Sequence, residues 1–494
     1  MNQKLLFARA YEKEAAKSIP AAERPMFHLT PYTGWMNDPN GFSFYQGKYH
    51  LFYQYNPYDT IWDAMHWGHA VSTDLLHWEF LPAALAPDEW YDDIGVYSGS
   101  AIEMPDGRQM LLYTAVREEG GNKPVEVQTQ CVAFGDGLNY TKAPENPLID
   151  EQMLPEGYDR SNFRDPRIMQ DAGGTYRCIV GARKENKLGA LLKYKSADGL
   201  HWEYDGVLIE NDGRLGLMWE CPDFFELDGK SVILISPQDM LPEGFEYHNG
   251  NGTVVLIGSC DASGRFIPET DHAIDYGIDF YAPTTILSPD GRRIMIGWMQ
   301  NWDTTKLTGS QDRNWFGQMT LPRELSIRNG RLYQQPIREL EQFRSGCVHY
   351  ENVLVEGETE LPGIEGRMTE LEITVRPKEG APLYHKFAVR FMKNELYHSA
   401  ISYRPHESVL RVDRKFSGSR RAYIHQRRCE VASRNGELKL RLILDRYSVE
   451  AFINDGEQTV TATVLTELSA TGISFFADGQ VEIDVTKYDL FNGE

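Results

Sequence analysis

The chain of 494 residues carries 72 Asp and Glu against 50 Lys and Arg, a formal net charge of −22. That balance argues against a nucleic-acid partner, because phosphate backbones are held by clustered cations. At 41% hydrophobic and 25% charged residues the composition is that of an ordinary globular protein, with no apolar stretch long enough to cross a membrane.

Residues 1–29 read as an N-terminal helical extension. Met1 to Pro20 is interrupted by Lys4, Arg9, Glu12 and Lys13 and lacks the apolar core and cleavage site of a secretory leader. Six cysteines without C-x-x-C spacing are too few for a disulfide framework, so a reducing cytoplasm is the predicted location. Neither H-E-x-x-H nor a P-loop occurs, and no metal or nucleotide cofactor is expected.

From about residue 30 to 335 the chain repeats. Gly47, Gly107, Gly174, Gly229 and Gly291 each open an apolar run and lie 60, 67, 55 and 62 residues apart. Asp74, Asp136, Asp198 and Asp261 recur at 62, 62 and 63 residues in turn-like surroundings such as Ser196-Ala-Asp-Gly-Leu-His-Trp202. Short strands and turns at such a period predict an all-β, five-bladed β-propeller whose four-stranded blades surround a channel. Residues 336–345 read as a linker helix. Residues 346–494 alternate as strands, for example Leu440 to Asp445 and Val449 to Ile453 before an Asn454-Asp455-Gly456 turn, and predict a β-sandwich. All ten tryptophans lie between Trp35 and Trp315. The last domain therefore lacks the best sugar-stacking side chain, and packing, or pairing into a homodimer, suits it better.

Nine residues upstream of the five glycines stand Asp38, Ser98, Asp165, Glu220 and Ala282. The innermost strand of each blade lines the channel, so Asp38, Asp165 and Glu220 are predicted to meet at one end. Read singly, Asn37-Asp38-Pro39-Asn40-Gly41 and Asp165-Pro166 are turn formers, and Glu220 is a carboxylate at a strand start. Three acids at one channel mouth repel one another and lose hydration, a cost that a structural turn has no reason to incur. Paired carboxyl groups flanking a substrate bond are the equipment of glycoside hydrolysis. The loops Gln54 to His66, Arg117 to Pro124, Arg183 to Leu188, Gln238 to Gly252 and Asn301 to Asn314 fall at the same end and predict a funnel walled by Trp62 and Trp302.

Trp35-Met-Asn-Asp-Pro-Asn-Gly41, Phe163-Arg-Asp-Pro166 and Trp219-Glu-Cys-Pro222 closely resemble the three signature motifs of the glycoside hydrolase family 32 β-fructofuranosidases, the invertase, fructanase and sucrose-6-phosphate hydrolase group. Supporting stretches include His66-Trp-Gly-His69, Asp279-Phe-Tyr-Ala-Pro283 and Asp445-Arg-Tyr-Ser-Val-Glu450. The resemblance implies a retaining hydrolase of sucrose, sucrose 6-phosphate or short fructooligosaccharides; a fructosyltransferase or an exo-acting fructan hydrolase are the alternatives. It makes Asp38 the nucleophile, Glu220 the general acid and base and Asp165 the transition-state stabiliser. Beside its two neighbouring acids and Trp219, Glu220 is the expected proton holder. The implied substrate contacts are Asn37, Gln54, Trp62, Ser98 and Arg164, with Trp298 on the same side and Tyr97 where phenylalanine is commoner. Arg183, at the mouth with Lys184, is the candidate for a substrate phosphate.

Overall fold

The computed structural model describes residues 3–308, 313–418 and 424–491. Its first part is a ring of five antiparallel sheets, each with its strands in sequence order from the channel outward. The inner strands are Gly34–Tyr45, Gly95–Glu103, Tyr158–Gln170, Trp219–Leu227 and Tyr281–Leu287. The second strands, such as Lys230–Pro237 with the sequence KSVILISP, are apolar on both faces because neighbouring blades cover both. Between blades 2 and 3, for instance, Met110, Leu112 and Val132 pack with Phe163, Ile168 and Val180. The ring is closed by Trp315–Phe316, which returns from blade 5 to pair in parallel with the inner strand of blade 1.

Gln3–Ala15 is an α-helix, free of Gly and Pro, that docks on blade 1. Arg9 Nε donates to the Ala83 carbonyl at 2.8 Å, and the buried Glu12 accepts the Ala83 N–H at 2.9 Å. The linker is one 3₁₀ stretch, Arg338–Phe343.

After it, ten strands form a single continuous, sandwich-like sheet. Two long strands, Arg344–Thr359 and Gly472–Leu490, pair along their length through three irregularities, one at Gly357 with φ 71°. Such bulges bend a strand, so one sheet folds over its own core of Phe387, Leu442, Phe475 and Val485 without breaking in two.

This domain is bolted to the propeller by buried charge. Arg323 of blade 5 pairs with Glu450 at 2.5 Å and with Asp275 at 3.0 Å, Arg414 meets Asp279 at 2.6 Å, and His28 bridges Asp445 and Glu450 at 2.7 and 2.9 Å. These carboxylates hold the buried His28 imidazolium up to about 9 against the opposing cost of burial.

Candidate active site

Every inner strand slips out of register with its neighbour at the same level. Asn37 and Asp38 stand opposite Gln54, Asp165 and Pro166 opposite Val180, Cys221 and Pro222 opposite Ile235, and Ala282 and Pro283 opposite Gly297; blade 2 slips at Ser98. In blades 3, 4 and 5 a proline, Pro166, Pro222 or Pro283, is the second bulged residue, since a residue without an N–H is tolerated where the ladder is interrupted; Pro39 follows the slip of blade 1, and blade 2 slips without a proline. Asp165, Cys221 and Ala282, each the first bulged residue, adopt φ of 64°, 48° and 49°. The bulge therefore aims these side chains at the channel instead of letting them alternate into the blades.

Aligned on the bulges, the three acids are not equivalent. Glu220 precedes its bulge, Asp165 is the first bulged residue and Asp38 the second. Their common offset from the glycines arises because the strand and turn between bulge and glycine differ by one residue from blade to blade. They nevertheless converge.

The Cys221 thiol lies 3.5 Å from Asp38 Oδ2 and 3.7 Å from Asp165 Oδ2, and the Cys221 N–H donates to Asp165 Oδ2 at 2.9 Å. Ser98 Oγ donates to Asp38 Oδ2 at 3.0 Å, while Asp38 Oδ1 accepts no hydrogen bond among the described residues. Arg164 Nη2 and Nε donate to Glu220 Oε1 at 2.8 and 3.2 Å, and the Tyr281 hydroxyl donates to Glu220 Oε2 at 2.6 Å. Arg164 Nε is also 3.9 Å from Asp165 Oδ2. Burial, and then the charge of Glu220, pushes the Asp38 carboxyl up to about 6. Burial lifts Asp165 to about 7 even though Arg164 opposes it. The Glu220 side chain, 16% exposed, is the most open of the three.

Two family models cover this architecture: the N-terminal domain of glycosyl hydrolases family 32 matches residues 28–336, and the C-terminal domain matches residues 339–491. The chain belongs to glycosyl hydrolase family 32. It is 34% identical over 493 residues to a raffinose invertase of Escherichia coli, covering 97% of each chain. It is also 34% identical to a sucrose-6-phosphate hydrolase of Zymomonas mobilis, over 92% of this chain and 88% of that one. Among solved structures, a family 32 β-fructofuranosidase of Bombyx mori superposes with a TM-score of 0.84 at 32% identity over 99% of both chains.

Within this family 32 site the remaining sequence candidates divide. Gln54, 2% exposed, donates from Nε2 to the Val96 carbonyl at 3.0 Å, and Asn37 accepts from Trp35 Nε1 at 2.8 Å. Trp62 is 43% exposed at the rim, edge-on to Tyr97 with centroids 5.9 Å apart. Trp302 lies in a short helix, Trp302–Thr308, in place of the expected loop, whose residues 309–312 fall outside those described. Trp298 corrects the sequence reading: it has no exposed surface and packs beneath Trp35 and Trp302, so it supports the wall and cannot touch a sugar. Arg183 is already paired with Asp159 at 2.7 Å and Lys184 with Glu210 at 2.9 Å.

Two groups at the centre escaped sequence reasoning. Tyr281 and Cys221 lie inside quoted motifs, but their hydroxyl and thiol were given no part. The available signal was positional: Tyr281 precedes the blade 5 bulge as Glu220 precedes that of blade 4.

Proposed function

We propose that the protein is a retaining β-fructofuranosidase that hydrolyses the terminal fructosyl unit of sucrose or of closely related short fructosides. The observation that carries this reading is the Asp38 carboxyl, buried with one oxygen free of hydrogen bonds among the described residues, gathered with Asp165 and Glu220 at one channel mouth. Asp38, ionised above about pH 6, attacks C2 of the fructosyl unit; the new C–O bond forms as the bond to the leaving oxygen breaks, and that oxygen takes a proton from Glu220. Water then attacks C2 from the face that the leaving oxygen vacated, opposite Asp38, as Glu220 removes its proton, and the bond from C2 to Asp38 breaks. Retention follows from the two displacements.

Asp165 accepts hydrogen bonds from fructosyl hydroxyls. Arg164 lies between Asp165 and Glu220 and holds the two carboxylates in place. Tyr281 fixes the orientation of Glu220 from behind.

The names of relatives favour sucrose and sucrose 6-phosphate as substrates. A phosphate at Arg183 would have to displace Asp159, which favours the unphosphorylated sugar. We place the protein in the cytoplasm, consistent with six unpaired cysteines, and assign the C-terminal domain to packing or to pairing of two copies. The test compares kcat/KM on sucrose, sucrose 6-phosphate and 1-kestose and follows the first product by NMR. Release of β-fructofuranose from sucrose supports the reading, whereas an inverted first product, or sugar transfer without hydrolysis, overturns it.

A further inference from the structure

Four strands at one side of the C-terminal sheet, Lys386–Lys393, Ser399–Arg404, Val409–Asp413 and Gln426–Glu430, bring Ala388, Ser402, Arg411 and Arg428 into one row of direct cross-strand neighbours. The alternate residues Val389, Ile401, Leu410 and Cys429 fill the core, so this row points away from it. Its short members, Ala388 and Ser402, make a floor; its long members are cations. Arg411 and Arg428 stand directly opposite one another, an arrangement of like charges that destabilises a sheet. In a chain of net charge −22, such a concentration of cations is not a by-product of composition.

The cations are only partly neutralised. Arg404 pairs with Glu407 at 2.9 Å and Arg390 with Glu358 at 2.6 Å, but Arg411 comes no closer than 4.0 Å to Asp413 and bonds instead to the neutral Gln426 at 3.1 Å. Among the described residues Arg428 and Lys386 make no ion pair; they lie against the rings of Phe245 and Phe476. Burial, and then Arg411, Arg404 and Arg390, hold the Lys386 ammonium below its usual value, with Asp413 opposing them. Two further acids share this face among the described residues: Glu430, and Asp478 directly across from Lys386.

A cleft of about 50 Å³ opens between these groups, lined by Ser402, Arg404, Glu407, Val409, Arg411 and Arg428. Ser402 is only 5% exposed, and its hydroxyl has no hydrogen-bond partner among the described residues. A hydroxyl open to the cleft beside Arg411 and Arg428 leaves more donors there than the one lining carboxylate, Glu407, which is already paired with Arg404, can satisfy.

We propose that this cleft binds a phosphate group, either free inorganic phosphate or the head of a small phosphate monoester. Arginine forks pair bidentately with phosphate oxygens, the Ser402 hydroxyl donates to an oxygen at the floor, and the dianion relieves the Arg411–Arg428 repulsion. A single water needs roughly 10–15 Å³ of such space, so the cleft has room for the few oxygens of one oxyanion head.

The test titrates the full chain calorimetrically with inorganic phosphate, glucose 6-phosphate and glucose, beside Arg411→Gln/Arg428→Gln and Ser402→Ala. Both phosphates should bind saturably and less tightly as salt rises, glucose should not bind, and the double variant should weaken both by at least about tenfold while cleaving fructosides like the parent. In phosphate-free buffer the double variant should melt no lower than the parent, since a repulsion has been removed, and it should lose the phosphate-dependent rise in Tm. Tighter binding of glucose 6-phosphate would identify a monoester as the source, and equal binding free phosphate. The proposal is overturned by binding that is absent at millimolar ligand or unchanged in the double variant, by glucose binding as well as its phosphate, or by these arginines proving instead to hold two copies of the chain together in sedimentation.

Discussion

Replacing Glu220 by Gln should change the pH at which Asp38 becomes an effective nucleophile, and the direction of that change follows from the structure. The Asp38 carboxyl is lifted to about 6 from an ordinary value of 3.8 by burial first and by the Glu220 charge second, with Asn37, Ser98 and Cys221 pulling the other way. That lift amounts to about 3 kcal/mol against the ionised form. A neutral amide at position 220 leaves the burial and the hydrogen bonds in place and removes only the repulsion, which for a charge several ångströms away in a partly screened site is worth roughly one to two pH units. Because the attacking form is the carboxylate, activity is lost as pH falls through the Asp38 value. The acid limb of the parent should lie near pH 6, and that of Glu220→Gln should move down by roughly one to two units. The assay uses an aryl fructoside whose leaving group departs without a proton, so that the variant still turns over and kcat/KM reports formation of the fructosyl-enzyme. An acid limb that stays in place or moves upward in the variant would refute the reasoning, since Glu220 would then not be a negative neighbour of Asp38.

Other changes test the supports of the site. Tyr281→Phe removes the donor to Glu220 Oε2 without exposing a cavity, and loss of a hydrogen bond to a charged group should lower kcat by roughly tenfold or more at nearly constant KM, because Tyr281 is fully buried and meets no sugar; a change in KM alone would contradict this role. His28→Gln should flatten the alkaline part of the stability curve. With a folded value near 9, above the ordinary 6.5, the imidazolium contributes roughly 3 kcal/mol in full below pH 6.5 and loses it as pH rises through 9, so the Tm gap between parent and variant should be wide at pH 6 and narrow at pH 10. Gly277→Ala would place a methyl group 2.0 Å from the Thr461 carbonyl, where the C-terminal sheet docks on the propeller, so Tm should fall by more than for an average core substitution, and an unchanged Tm would show that the two domains are not held at this point.

The repeat, the all-β class and the identity of the three acids were legible in the sequence, because strand periodicity and turn residues act locally and each blade announces itself within its own sixty or so residues. The motifs around Asp38, Asp165 and Glu220 are likewise contiguous. The arrangement of these side chains was not legible, because it depends on where each inner strand slips against its neighbour. That slip makes three acids with one apparent offset occupy three successive ladder positions, and it turns Asp165 and Cys221 into the left-handed region. Tyr281 reaches Glu220 from 61 residues away and Cys221 reaches Asp38 from 183, separations across which no local pattern operates. Trp298 reads in the sequence as a substrate contact and lies behind the wall, since a tryptophan next to a channel can face either way and packing against Trp35 and Trp302 decides which. Arg183 and Lys184 read as free cations in a loop until the fold set Asp159 and Glu210 beside them. Local preference thus determined which residues could enter the channel; burial, register and long-range pairing, which exist only once the ring has closed, decided which of them face its mouth and which partners they meet there.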